Sequence, residues 1–302
     1  MSNEDRNYQL GGPLITRRAT TIALGVAALT AGPFSAIGAS STVAARKRLL
    51  DPANPEDARA IYRKLRYRTD SGLLFSWVKG PYMAAIDGNL IPMYGINLGS
   101  ISRVTQRADG GFDLRDLEIS FRVDVDTGRR LTSFHNPITN EIVPVVFRPQ
   151  GPNVLNYTRD NDGHINDVPG GARFDMKHFQ TSPFVLGDQI YIRDRSHATV
   201  TMADGSISML NEVSTISGPR SQVLDPTTVT VETRVQSNDV RSWPAWLNMG
   251  NRQGTLGLFG NGAKVQRFSD LPQDWLAMLH EVAPEIAADP VAALDRMPPP
   301  AA

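Results

Sequence analysis

The sequence predicts a mainly β protein, an antiparallel barrel-like sheet (calycin-like or a related closed or partly open barrel) with flanking N- and C-terminal helices. Three observations predict it. From Gly72 to about Gln236 the chain consists of short runs rich in Val, Ile, Phe, Tyr and Thr. Turn chemistry separates them at regular spacing: Asp87-Gly88-Asn89, Asp109-Gly110-Gly111, Asp126-Thr127-Gly128, Asn136-Pro137 and Asp204-Gly205. Two runs alternate strictly, Leu117, Ile119, Phe121, Val123 and Val125 against Glu118, Ser120, Arg122 and Asp124, and Val229, Val231, Thr233 and Val235 against Thr230, Glu232, Arg234 and Gln236. Closure is favoured because many strands without helical cover would leave unpaired edges.

The 302 residues divide into a targeting segment, 1–45, and a single β-rich domain, 46–302. Thr16-Arg17-Arg18-Ala19-Thr20-Thr21 precedes an uncharged run from Ile22 to Gly38 and then small residues as far as Ala45. Positive, then apolar, then small is the order of a secretory signal, and the paired arginines point to twin-arginine export. The run is rich in Ala and Gly and broken by Pro33, whereas a spanning helix needs roughly 20 strongly apolar residues. The expectation is a periplasmic or secreted protein that meets the twin-arginine export machinery and keeps no stable membrane span after processing.

Asn54-Pro55-Glu56-Asp57 opens the first helix of the domain. Asn54 suits the cap, Pro55 the first turn, and the two acids the positive end of the helix dipole. Ala58, Ile61 and Leu65 then share one face. Near the end, Ser269 or Asp270 is expected to cap a helix whose apolar side is Leu271, Trp275, Met278, Leu279 and Val282, with Pro284 stopping or kinking it. The terminal Met-Pro-Pro-Pro-Ala-Ala reads as a frayed tail.

Composition excludes several classes. There is no cysteine, which removes disulfides, thiolate zinc sites, iron–sulfur clusters and a cysteine nucleophile. Residues 1–45 carry three Arg and two acids, so the 31 basic and 31 acidic residues of the whole chain leave 28 against 29 in the domain. That balance argues against nucleic acid and for a small-molecule ligand or substrate. A metal would need His135, His164, His178 or His197 with Asp or Glu to complete the set, but none of them shows HxH or HExxH spacing, so no metal is expected, and no cofactor. Asp124 opens a calcium-loop-like stretch whose twelfth position is His135 where a bidentate Glu is needed; it reads as a hairpin turn. The glycine-rich Gly257-Leu258-Phe259-Gly260-Asn261-Gly262 also reads as a turn, since it opens no helix, and no GxSxG occurs.

The stretch Asp126 to Val146, "DTGRRLTSFHNPITNEIVPVV", resembles the bacterial and fungal family of unknown function DUF1838. "WVKGPYMAAIDGNLIPMYGIN" from Trp77 and "WPAWLNMGNRQGTLGLFGNGAKVQRFSDLP" from Trp243 extend the resemblance over nearly all of the domain. The family supplies no catalytic residue to carry over. Where its pattern has Trp before the Asn-Pro turn, this chain has Phe134 and His135.

Candidate chemistry therefore rests on the residues themselves. In "DQIYIRDRSHATVTM", Tyr191, Arg193, Arg195 and His197 share one strand face, and Glu118, Ser120, Arg122 and Asp124 share another. Each strip is either an ordinary wet surface or the lining of a barrel cavity. If both face inward, His197 or His135 serves as base, Glu118 as acid, and Arg193 or Arg195 holds an oxyanion, with Tyr191 beside them. The function expected is then a cofactor-independent lyase, isomerase or hydrolase acting on a small, largely apolar molecule. The alternative is a periplasmic binding protein for a small hydrophobic or carboxylate-bearing ligand. His135, before the Asn-Pro turn, either does this chemistry or only closes a hairpin. Trp243, Trp246, Leu247 and Met249, with Tyr82, Met83, Met93 and Tyr94, form either core or the apolar wall of the pocket.

Overall fold

The computed structural model describes residues 48–147, 149–161, 163–165, 173–201, 205 and 207–296; the expected signal segment and the proline-rich tail lie outside them. Helix α1 (Pro55–Arg66) starts as its sequence dictates: the Asn54 side-chain carbonyl accepts from the amides of Glu56 at 2.9 Å and Asp57 at 3.2 Å. Ile61 and Leu65 are fully buried on its inner face.

The strands are β1 (Gly72–Ile86), β2 (Asn89–Gln106), β3 (Phe112–Val123), β4 (Ser133–His135), β5 (Ile142–Pro144), β6 (Gln150–Tyr157), β7 (Gly163–Ile165), β8 (Arg173–Gln180), β9 (Phe184–Leu186), β10 (Gln189–Thr201), β11 (Ile207–Pro219), β12 (Thr233–Arg241) and β13 (Thr255–Val265). Among the described residues, eleven of them form one antiparallel sheet in the order β7-β6-β3-β2-β1-β13-β12-β11-β10-β8, with β9 also paired to β10, while β4 and β5 make a separate hairpin. The sheet curls into a half-barrel, the partly open form of the expected architecture. Pairing of β1 with β13 closes its middle.

Alternation assigns each strand an inner and an outer face. Outside, β1 to β3 are covered by α3 (Gln273–Val282), α4 (Pro284–Ala288) and α5 (Pro290–Asp295). Phe75, Ile101, Leu117, Ile119 and Phe121 pack there against Trp275, Leu279 and Leu294. Trp275 is 0% exposed and donates its indole N–H to the Ile119 carbonyl at 3.1 Å. A Cβ at Gly99 would lie 2.4 Å from that ring, so glycine is what lets the indole seat.

Inside, one end of the half-barrel is plugged by α1, whose Ile61, Tyr62 and Leu65 join Phe112, Ile190, Ile192 and Ile216. The other end is filled by the β4–β5 hairpin and the 244–249 loop, where Phe134, Val143, Leu247 and Met249 meet Tyr82, Tyr94 and Leu258. Polar residues line the space between.

Three local expectations change. The strand expected from Val229 begins only at Thr233, because Val231 is buried against the α1 cluster without a strand partner. The glycine-rich segment at Gly257 is part of β13 rather than a turn. Its glycines admit close approach of β1: a Cβ at Gly262 would lie 1.9 Å from the Trp77 carbonyl oxygen. The C-terminal helix starts at Gln273, not after Ser269 or Asp270, which fall in a 3-10 turn ahead of Pro272. Pro284 does break that helix, by starting α4.

Candidate active site

A cavity of about 400 Å³ lies within the half-barrel, in the size range of small-molecule sites. Strand β3 contributes Asp116, Glu118, Ser120 and Arg122 to it. Its alternation puts Leu117, Ile119 and Phe121 outward under α3, which leaves the polar set no direction but inward. Register then sets Ser100 beside Glu118 and Ser102 beside Asp116 on β2. On the opposite wall, Glu212 and Ser214 of β11 stand beside Asp239 and Ser237 of β12. Val78, Leu98 and Leu258 supply an apolar wall, and Tyr82 and Tyr94 belong both to the hairpin cluster and to the cavity.

Most cavity charges are already partnered. The hydroxyls of Ser100 and Ser102 both donate to Asp116 Oδ1. Glu212 Oε1 accepts from Ser214 at 2.6 Å and Ser237 at 3.0 Å. Arg241 grips Asp239 with two nitrogens, Nε at 3.0 Å from Oδ1 and a terminal nitrogen on Oδ2, and lies over the Tyr82 ring, 5.3 Å from its centroid. Arg66, at the end of α1, reaches Asp194 at 3.5 Å, and Tyr62 donates to the same carboxylate at 2.9 Å. Lys264 donates to the carbonyls of Lys64 at 2.5 Å and Tyr67 at 2.6 Å, closing the carboxyl end of α1.

Glu118 differs. No protein group donates a hydrogen bond to it among the described residues, and the surface it retains faces the cavity. Burial pushes its carboxyl up to about 7, aided by the negative charges of Asp116 and Glu212 and opposed by Arg241 and Arg122. Burial also raises Asp116, against the pull of its two serines, and Asp239, against that of Arg241. It raises the Tyr82 and Tyr94 phenols, which stay protonated. Burial drives the Lys264 ammonium down. A carboxyl group that titrates near neutrality and has lone pairs to spare is equipped to give and take protons.

The other candidates from the sequence are elsewhere. Tyr191, Arg193, Arg195 and His197 lie on the outer face of β10, since Ile190, Ile192 and Asp194 take the inner one. Of the two readings of this strip, wet surface or cavity lining, its place is the first, and the base and oxyanion roles given to it on the second do not hold: the apolar residues of β10 are needed against α1, and alternation turns the polar ones out. There Phe184 stacks on Tyr191 with centroids 5.3 Å apart, Arg193 lies over Phe184 and Arg195 over Phe179. His197 Nδ1 meets Asn211 Oδ1 at 2.5 Å. His135 is exposed on the hairpin, its Nε2 2.9 Å from Asn140 Oδ1. The neighbouring Asn136 is fully buried, accepting from the Ile138 amide at 2.9 Å and donating to the Leu247 carbonyl at 2.8 Å. Asp124, on the β3 strip, leaves the cavity to cap the turn at Thr127. The side chains of His164 and His178 lie outside the described residues. Among the described residues, no three His, Asp or Glu side chains converge as a metal centre needs.

Asp116, Glu212, Asp239, Arg241 and Arg66 were not singled out from the sequence. The alternation of Ser237, Asp239 and Arg241 carries the same signal as the β3 strip and marks a polar face there too.

Residues 67–298 match the family described as "Protein of unknown function (DUF1838)". The chain belongs to the DUF1838 family. No curated protein and no solved structure matches it. In this DUF1838 protein the half-barrel cavity holds the candidate site.

Proposed function

We propose that this DUF1838 protein is an enzyme that transfers a proton on a small molecule held in the half-barrel cavity, a lyase, isomerase or hydrolase in which Glu118 is the acid–base group. One observation carries the reading: Glu118 faces the cavity without a hydrogen-bond donor from the protein, and its proton affinity is raised to about 7. A general acid–base works best when its pKa is close to the working pH. Val78, Leu98 and Leu258 suit an apolar substrate body. Tyr94, which stays protonated, is a donor for charge that develops on an oxygen.

The test is metabolite profiling by mass spectrometry with the wild-type protein and Glu118→Gln. The wild type is expected to consume a small molecule with a rate that bends near pH 7, and Glu118→Gln to slow it by roughly 10²–10⁴-fold. Retention of a small molecule without conversion, equal in both proteins, would instead make this a binding protein. We also propose export to the periplasm or exterior, on the strength of Arg17-Arg18 and the uncharged run after them. Replacing both arginines by lysine is expected to leave the protein in the cytoplasmic fraction.

A further inference from the structure

Four cationic side chains line the cavity: Arg66, Arg122, Arg241 and Lys264. Arg66 is matched by Asp194, Arg241 by Asp239, and Lys264 by two backbone carbonyls and the Thr230 hydroxyl. Arg122 has no carboxylate and no hydrogen-bond acceptor among the described residues. It is held instead from the side, its guanidinium 5.8 Å from the centroid of the Trp246 ring. Trp246 comes from the 244–249 loop and packs on Tyr94 and Phe134, so the arginine is positioned without being neutralised. A half-buried guanidinium whose five donors lack a protein acceptor is best completed by something planar and anionic.

We propose that Arg122 is the anchor for a carboxylate on the substrate, so that the molecule turned over here is a small organic acid. The inference rests on the acid–base reading of Glu118 and adds the orientation. Arg122 and Glu118 project from the same face of β3, four residues or about 13 Å apart along the strand. A substrate pinned at its carboxylate by Arg122 therefore presents a more distant atom to Glu118, and the anionic end is kept away from the carboxylates of Asp116 and Glu212. The apolar wall between them fits a hydrocarbon middle.

Binding of benzoate, benzamide, benzylamine and acetate to the full chain, measured by titration calorimetry and by Trp fluorescence, tests this. Benzoate is expected to bind about tenfold tighter than the neutral benzamide, the scale of a charge-assisted paired hydrogen bond. Arg122→Gln should remove that preference while leaving benzamide binding unchanged, and Arg122→Lys should retain only part of it. Should Arg122→Gln fail to fold, the Arg122→Lys variant and the shift of the Arg122 side-chain NMR resonances with benzoate carry the test. The proposal is overturned if benzamide or benzylamine binds as tightly as benzoate, if Arg122→Gln keeps the preference, or if neither benzoate nor acetate binds. Glu118→Gln separates the two ideas: it should leave the benzoate preference intact and slow turnover by the same roughly 10²–10⁴-fold. Loss of the preference alone removes the anchor and leaves the acid–base reading standing.

Discussion

Strands β3 and β10 carry nearly the same pattern and face opposite ways. Each alternates polar and apolar residues, and each offers a row of charged side chains on one face. In β3 the charged row, Glu118 to Arg122, looks into the cavity, and the apolar row meets α3. In β10 the charged row, Arg193 and Arg195, looks outward, and Ile190 and Ile192 meet α1. What differs is the helix and the side it packs on. A binary pattern specifies two faces; the element that covers one of them decides which is inside.

The largest expected effect breaks the β3 side of this comparison. Trp275→Ala removes the side chain that holds the apolar row outward and should cost about 3–5 kcal/mol in chemical denaturation. A cost under about 1 kcal/mol would mean that α3 does not set the facing of β3.

Glu118→Gln sharpens the comparison through pH. The folded protein holds the Glu118 proton more tightly than the unfolded chain does, about 7 against an ordinary 4.5. The stability linked to that proton is present below 4.5 and lost as pH rises through 7. Glutamine mimics the protonated form, so the variant should equal wild type near pH 4 and exceed it by about 3 kcal/mol above pH 7. Urea melts across this range check it, and equal slopes for both proteins would place Glu118 in water.

A smaller change probes the inner face of β10. Tyr62→Phe deletes the hydroxyl that donates to buried Asp194 and should cost about 1–2 kcal/mol by thermal or urea denaturation. The smallest effect belongs to its outer face. Arg193→Ala, Arg195→Ala and His197→Ala should each shift stability by no more than about 0.5 kcal/mol and leave turnover unchanged. Loss of activity in any of them would return β10 to the list of working surfaces.

Much of the fold is legible in the amino-acid sequence. The Asn54 cap, the alternation of β3 and the Pro284 break depend on contacts within a few residues, so local chemistry determines them. Val229 misled because a valine buried under a helix and a valine in a strand satisfy the same apolar pattern. The segment at Gly257 misled because glycine serves both turns and close strand crossings, and only Trp77, some 180 residues away in sequence, distinguishes them here.

The candidate site divides along the same line. Glu118 could be found from its own strand. Its neighbours Glu212, Asp239 and Arg241 come from strands placed beside it by the β1–β13 pairing, a contact between distant parts of the chain. The exposed place of His135 and the outward facing of half-buried His197 were equally hidden, because alternation names a face without its direction. By itself, then, the sequence determined which residues share a face, where the first helix begins and that the sheet is antiparallel. Tertiary structure alone decided which faces enclose the cavity and which carboxyl group is desolvated, because burial is a property of what packs around a residue and not of the residue.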